Sequence, residues 1–410
     1  MSRKCRFCAA PLSRVFCDLG SSPLSNSFLD ANAPLAAEPR YPLCAYVCER
    51  CLLVQLEAFE TPEQIFSDYA YFSSYSDSWL AHCRAYAYAM RERLSLGARS
   101  LVVEVASNDG YLLRYFREQS VPVLGIEPAA NVAAEAEKHG VRTLVRFFGT
   151  ALADELRKTG TRADLLVGNN VLAHVPDLND FVAGLARLLA DEGVITMEFP
   201  HLLRLMRENQ FDTIYHEHFS YFSLLVAAEV FRKHGMVVFD VDEIPTHGGS
   251  LRIYACLSGS KRATPGARVA KVLTDERAAG LDRIEGYAGF AAQVAETRRS
   301  LLDFIERARR EGKRVVGYGA PAKGNTLLNY CGLSARELQY TVDRSPHKQG
   351  KLLPGSHIPV FAPEHIRDTR PDYVLILPWN IKDEVISQMG HIREWGGRFV
   401  VPIPRAEVIA

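Results

Sequence analysis

From residue 101 onward, short apolar runs alternate with amphipathic stretches. LVVEVA (101–106) is a continuous apolar run broken by one acid. YLLRYFREQ follows with helical character, then VLGIEP (123–128), then NVAAEAEKHG, which Gly140 closes. ADLLVGNN (163–170) and VITMEFP (194–200) flank a predicted helix, DLNDFVAGLARLLADEG. Strands alternating with helices predict a parallel sheet covered on both faces. A helical stretch over about 267–311 comes next, with Phe290, Val294, Leu301, Phe304, Ile305 and Ala308 on one face. The alternation then resumes with RVVGYGA (314–320), LQYTVDRS, PDYVLILPWN (371–380) and RFVVPIP, which predicts a second, smaller α/β unit.

Residues 1 to about 68 follow neither pattern. Prolines at 11, 23, 34, 39 and 42 interrupt any regular period, and six of the nine cysteines fall here. So short a segment buries little core and needs a staple. The expected division is therefore 1–68, 69–262 and 263–410, within the two to four domains that 410 residues allow.

Composition narrows the function. Lys+Arg and Asp+Glu both number 48, so the formal net charge is zero and a general polyanion binder is disfavoured. No run approaches the ~20 apolar residues of a membrane span, and MSRKCRFCAAPL lacks the apolar core of a signal peptide. The expectation is a cytoplasmic protein without membrane or nucleic-acid partners. In a reducing compartment, clustered cysteines point to metal.

Cys5-x-x-Cys8 and Cys48-x-x-Cys51 are two knuckles, 39 residues apart. Two thiolates at that spacing grip one face of a tetrahedral Zn²⁺, and four thiolates leave no open position, so the metal is expected to be structural. Cys17 and Cys44 are the substitutes should one ligand be misassigned; Cys83, Cys256 and Cys331 read as core.

Glu104-Val-Ala-Ser-Asn108-Asp-Gly110 lies between a strand and a helix, where a doubly wound fold places its ligand loop. It is not GxGxxG, so a tight pyrophosphate turn is missing. Glu127, 17 residues after Gly110, ends the next strand, where an acid accepts from a ribose diol. An adenosine-containing cofactor without a pyrophosphate fits both, and S-adenosylmethionine is one. Asp109 reads equally as a helix cap. Asn170 and His174 end the fourth strand and face the same crevice.

Tyr215-His216-Glu217-His218-Phe219-Ser220-Tyr221 is the densest polar and aromatic cluster. Histidine titrates nearest neutrality and serves as a general base, with a neighbouring phenol or carboxylate to orient it. HExxH is absent, and HEH alone is an incomplete metal set. His247-Gly-Gly-Ser-Leu-Arg252 reads as an anion contact or as a plain hairpin turn. Gly317-Tyr-Gly-Ala-Pro-Ala-Lys323-Gly-Asn325 precedes a helix, where backbone amides and a lysine suit a phosphate, although GxxxxGK[ST] is not matched. Arg344 ends the following strand.

These pieces, in this order and over the whole chain, resemble the sugar C-methyltransferases of deoxysugar and antibiotic biosynthesis. The motifs are the paired CxxC, Tyr71-Phe-Ser-Ser74, EVASNDG, GIEP, NxLxHV, IYHEHF, HGGSLR and GYGAPAKGNT. The resemblance implies an α/β chain with three parts. A small zinc-binding domain precedes a central Rossmann-like methyltransferase domain with a parallel-rich sheet, and a second Rossmann-like domain closes the chain. It implies methylation, by S-adenosylmethionine, of the carbon α to the ketone of a nucleotide-linked, commonly TDP-linked, 4-keto-deoxysugar. His218 is then the base, with Glu217 and Tyr215 orienting it, positioning the sugar or stabilising the enolate, and His174 near the reacting centre. Tyr71, Ser74, Glu104, Asn108, Gly110, Glu127 and Asn170 would hold the cofactor. His247, Arg252, Lys323, Asn325 and Arg344 would meet the substrate. A monomer is expected. Three other readings compete: a nucleotide-sugar oxidoreductase or epimerase, a zinc-ribbon binding module on degenerate α/β domains, and an O- or N-methyltransferase. The methylated carbon, C3 or C5, is not readable.

Overall fold

A computed structural model describes residues 3–32, 38–61, 74 and 77–409. Tyr71 lies outside them.

The central unit is built on seven strands. Their order is Met236–Ile244, Ser250–Leu257, Leu189–Pro200, Ala163–Asn169, Val102–Val105, Val123–Ile126 and Thr143–Leu144. Neighbouring strands from Leu189–Pro200 onward are parallel. Ser250–Leu257 runs against both of its neighbours. Strand Val102–Val105 is buried at every residue, as the apolar run requires. One boundary differs from expectation. The helix read through DLNDFVAGLARLLADEG stops at Leu188, and Leu189 already pairs with Ala163 as strand. Two apolar leucines in a row suit either element, and the sheet takes the second.

The C-terminal unit has six strands in the order Val360–Phe361, Thr341–Val342, Val315–Tyr318, Tyr373–Ile376, Arg398–Val401 and Glu407–Ile409. All are parallel except the last pair. The linking helical stretch is two helices, Ala267–Ala278 and Phe290–Arg310. The six residues assigned to the inner face of the second are all buried. Phe16 stacks on Phe290 with centroids 4.7 Å apart, so the N-terminal unit packs on that helix.

The N-terminal unit contributes Val15–Ser22, Tyr41–Val47 and Val54–Leu56 to a four-stranded antiparallel sheet. Its fourth strand, Ser220–Tyr221, comes from the central unit and pairs with Val54–Gln55. A second junction joins Leu29–Asp30 to Lys351–Leu352 of the C-terminal unit. The three segments thus share sheets and apolar clusters. No described helix is long and apolar enough to cross a membrane.

Candidate active site and metal centre

The sulfurs of Cys5, Cys8, Cys48 and Cys51 all lie within 4.8 Å of one another. Cys5 and Cys51 are 3.5 Å apart, as are Cys8 and Cys48. Zn–S bonds of about 2.3 Å in a tetrahedron put sulfurs about 3.8 Å apart, so the four thiols fit one zinc ion with a small adjustment. Each knuckle turns by a left-handed residue just after its second cysteine: Ala9 at φ 59 and Leu52 at φ 63. Gln55 donates to the Cys5 sulfur at 3.2 Å, which orients a ligand from outside the shell. Cys17 and Cys44 lie outside the cluster, and burial pushes the Cys17 thiol up to about 12. An inert thiol of that kind is core.

Between the two cysteines, Arg6 ties this centre to the rest. Its Nη1 donates to the Pro176 carbonyl at 2.9 Å, its Nη2 donates to the Leu56 carbonyl, and its guanidinium lies over Phe219. Asn179 donates to the carbonyls of Arg6 and Phe7, both at 3.0 Å.

The first crevice lies at the carboxyl ends of the parallel strands. Ala106, Asn108 and Gly110 all take positive φ, so the chain after Val105 folds back in a tight ligand loop. At Gly110 the φ of 75 favours glycine, and a Cβ would press on Val141 and Ala136 at 3.1–3.2 Å. Glu127 accepts from the Asn108 amide at 3.0 Å and from the Ala129 amide at 2.9 Å, locking the two loops together. Ser74 donates to Asp109 Oδ2 from its amide at 3.1 Å and its hydroxyl at 2.5 Å. Asp109 Oδ1, both polar atoms of the Asn169 amide and Asn170 Oδ1 are buried without a hydrogen-bond partner among the described residues. Glu104 sits fully buried in strand Val102–Val105, and burial drives its carboxyl well above the ordinary range. Such a set of unsatisfied groups marks a place for a ligand.

The histidine cluster stands beside this crevice. His218 Nδ1 faces the Thr213 carbonyl at 2.9 Å. A carbonyl only accepts, so Nδ1 carries the proton and Nε2 keeps the lone pair. Tyr215 donates its hydroxyl to that Nε2 at 2.8 Å. Burial, followed by the neighbouring His174, holds His218 well below the ordinary histidine range. The His174 and His218 rings lie 4.6 Å apart, and burial pushes His174 down to about 4. Phe219 donates its amide to the Ala173 carbonyl, fastening the loop to the end of the fourth strand.

All three units reach this point. Asn26 of the N-terminal unit donates to Glu217 Oε1 at 2.7 Å. Asn170 donates from Nδ2 to His247 Nε2 at 2.8 Å, and burial followed by the Lys323 charge pushes His247 down to about 4. Lys323 of the C-terminal unit donates to the His247 carbonyl at 3.0 Å. Asn325 donates to the Ser25 carbonyl at 2.6 Å, bracing the turn that carries Asn26. The other candidates sit apart. Arg252 commits its guanidinium to buried Glu198 and to His82 beneath the pocket. Arg344 is exposed, 4.0 Å from Glu384. His216 faces the Pro42 carbonyl at 3.2 Å.

Several neighbours carry no signal in the sequence. Asn26, Thr213, Asp212, Trp79 and Trp379 come from four distant stretches, and only the packing of the units unites them. Trp79 stacks on His82 and lies 5.5 Å from the His247 ring. Trp379 donates its indole N–H to Asp212 at 2.6 Å.

Comparison with known proteins agrees with this geometry. Residues 5–66 match a zinc binding domain, residues 80–241 a methyltransferase domain, and residues 245–404 a C-methyltransferase C-terminal domain. The C-methyltransferase NovU of Streptomyces niveus is 37% identical over 407 residues, 99% of this chain and 97% of that protein. The ubiquinone biosynthesis O-methyltransferase of Bartonella quintana is 24% identical over 95 residues, 23% of this chain and 38% of that one. The solved magnesium protoporphyrin IX methyltransferase of Synechocystis, with bound S-adenosylmethionine, aligns at 15% identity and a TM-score of 0.32. That alignment covers 43% of this chain and 77% of the other. On the full-length match and the three domain matches, the chain belongs to the S-adenosylmethionine-dependent C-methyltransferases.

Proposed function

We propose that the enzyme methylates the carbon α to the ketone of a nucleotide-linked 4-keto-deoxysugar, TDP-linked in the simplest case, with His218 as the base. The observation that carries this is the tautomer of His218. Its Nδ1 is tied to the Thr213 carbonyl and its basic Nε2 meets the Tyr215 hydroxyl. Moving a methyl to carbon needs a carbanion first, and a neutral, buried, oriented imidazole suits removal of a proton next to a ketone. Bound S-adenosylmethionine supplies the electrophilic methyl. Ser74, Glu104, Asn108, Gly110, Glu127 and Asn170 are the residues we assign to holding it, and the buried unpaired atoms of Asp109, Asn169 and Asn170 support that assignment.

The remaining roles follow from contacts. Tyr215 fixes the direction of the Nε2 lone pair. Glu217, held by Asn26, and His174, against the His218 ring, shape the wall around it. A cleft of about 660 Å³ at the seam with the C-terminal unit, walled by Gly248, Trp379, Arg204, Arg207 and Lys382, is where this reading puts the nucleotide. The balance of 48 basic and 48 acidic side chains supports a small-molecule substrate over nucleic acid. We also read the protein as a cytoplasmic monomer.

His218→Ala tests the base. Turnover with a TDP-linked 4-keto-6-deoxyhexose is expected to fall by about 10²–10⁴ while calorimetric affinity for S-adenosylmethionine stays near wild type. Unchanged turnover would remove His218 from the role.

A further inference from the structure

We propose that Lys323 is the oxyanion-binding group of this reaction. Its ammonium, delivered by the C-terminal unit, meets the charge that grows on the ketone oxygen as the neighbouring carbon loses its proton. The inference rests on the keto-sugar reading above.

Lys323 is the second residue of helix Ala322–Cys331, at the end of strand Val315–Tyr318. Its own hydrogen bond leads away from the glycine loop it belongs to. The loop's Ala320 amide donates to Asp343 Oδ2 at 2.7 Å, so the anion expected there is already supplied by the chain. The side chain of Lys323 turns instead toward the central unit and donates to the His247 carbonyl. His247 is held by Asn170, which ends the fourth strand of the methyltransferase sheet. The same helix meets the loop of the base: Thr326 donates to the Ile214 carbonyl at 3.2 Å, next to the Thr213 carbonyl that holds His218, and the Lys323 charge is felt at both His247 and His218.

Its surroundings suit one developing charge rather than a diphosphate. The ammonium lies 5.3 Å from the Trp379 ring centroid. Burial lowers its pKa, and Asp212 pulls it back up. Asp212 is itself fixed by the Trp379 indole. An ammonium stripped of water beside histidine and tryptophan rings interacts more strongly with a nearby oxyanion than one in solvent. A diphosphate calls for several cations. Among the charged candidates, Arg344 is turned to Glu384, and Arg204, Arg207 and Lys382 line the cleft beyond Gly248.

The step balances without a further reactant. The C–H bond α to the carbonyl breaks, and its proton goes to His218 Nε2, whose lone pair the Tyr215 hydroxyl gives up as the substrate enters. The electron pair becomes the C=C bond of the enolate, and the carbonyl π pair moves to oxygen, opposite the Lys323 ammonium. The enolate carbon then forms a C–C bond to the methyl as the S–CH₃ bond breaks and the sulfonium becomes a neutral sulfide.

Enolisation can be read apart from methyl transfer. In D₂O, with S-adenosylhomocysteine in place of the donor, wild-type enzyme should exchange the α proton of a TDP-linked 4-keto-6-deoxyhexose. Lys323→Met is expected to slow both this exchange and turnover by about 10²–10³, the cost of one oxyanion donor. TDP and S-adenosylmethionine affinities should stay within about twofold. Lys323→Arg, which keeps the charge, should recover part of both rates by the same factor. That variant carries the test if the Met variant fails to bind S-adenosylmethionine. A rise in KM with kcat and exchange unchanged would make Lys323 a substrate anchor and overturn the proposal. Wild-type enzyme inert in both assays would instead remove the keto-sugar reading itself, and the role of Lys323 with it.

Discussion

Two loops in this chain have the same address and opposite chemistry. The Glu104–Gly110 loop and the Gly317–Gly324 loop each leave the carboxyl end of a parallel strand and run into a helix. Each also turns on a glycine at positive φ where a Cβ would be crowded, Gly110 at 75 and Gly319 at 89. The first ends in buried polar atoms without a hydrogen-bond partner among the described residues, on Asp109 and on neighbouring Asn169 and Asn170. The second is satisfied from within. Asp343 accepts from the Ala320 and Ser345 amides at 2.7 and 2.8 Å, and Lys348 donates to the Ala320 carbonyl at 2.9 Å. Topology alone therefore does not make a cofactor site. The next strand's acid closes both loops alike, Glu127 on the Asn108 amide and Asp343 on the Ala320 amide; what distinguishes the two, among the described residues, is the set of buried unpaired atoms beside the first.

The comparison can be broken at several points. Removing zinc should have the largest effect. Chelation, or Cys48→Ser with Cys51→Ser, is expected to release one zinc per chain by elemental analysis and to abolish turnover, because the sheet that carries Ser220–Tyr221 loses its staple. The cofactor loop is carried by the central sheet rather than by the sheet the cysteines staple, so calorimetry should still find S-adenosylmethionine bound. Turnover that survives metal loss would detach the zinc unit from the reaction.

A pairwise substitution comes next in size. Glu127→Ala leaves the Asn108 and Ala129 amides unpaired and should weaken S-adenosylmethionine binding by about 100-fold, equivalent to about 3 kcal/mol. Asp343→Ala, the matching change in the second loop, should lower the melting temperature by several degrees and leave that affinity within about twofold. Equal effects on affinity would erase the distinction between the loops.

The smallest effect is a pH dependence confined to the side of the buried histidines. His174 and His247 titrate at about 4 in the folded chain, against an ordinary value near 6.5, and burial is the first cause in both. The unfolded chain therefore binds more protons between those values. Stability is full above about 6.5 and falls as pH drops toward 4. Melting temperatures across that window should show the decline, and His247→Gln should flatten it. The acid limb of kcat/KM should lie well below 6.5, because burial keeps His218 unprotonated there.

Much of this could be read along the chain. The apolar runs mark the strands because a strand buried on both faces has no polar side to hide. The cysteine spacing marks the metal centre, since the geometry of a knuckle is local. The histidine cluster stands out for the same reason. The rest depends on contacts between residues far apart in sequence. Nothing near Asn26 announces Glu217, and nothing near Leu29–Asp30 announces Lys351–Leu352. Arg252 reads as an anion contact because it follows two glycines. Its strand lies inside the sheet and is buried on both faces, and there Glu198 and His82 take its charge. Lys323 reads as a phosphate ligand because it follows a glycine loop, and only the packing of two units shows it turned toward His247.

The pairing of Ser220–Tyr221 with Val54–Gln55 also sets the boundaries for recombination. A chimera that exchanges residues 1–60 between two such enzymes cuts through a sheet and leaves the recipient's histidine-bearing loop paired to a foreign edge. The exchangeable block is discontinuous: for this sheet it is the N-terminal segment together with the stretch from Phe211 to Ser223, and the Leu29–Asp30 edge adds its own partner at Lys351–Leu352. Specificity engineering and evolutionary shuffling in this architecture must carry those two pieces as one.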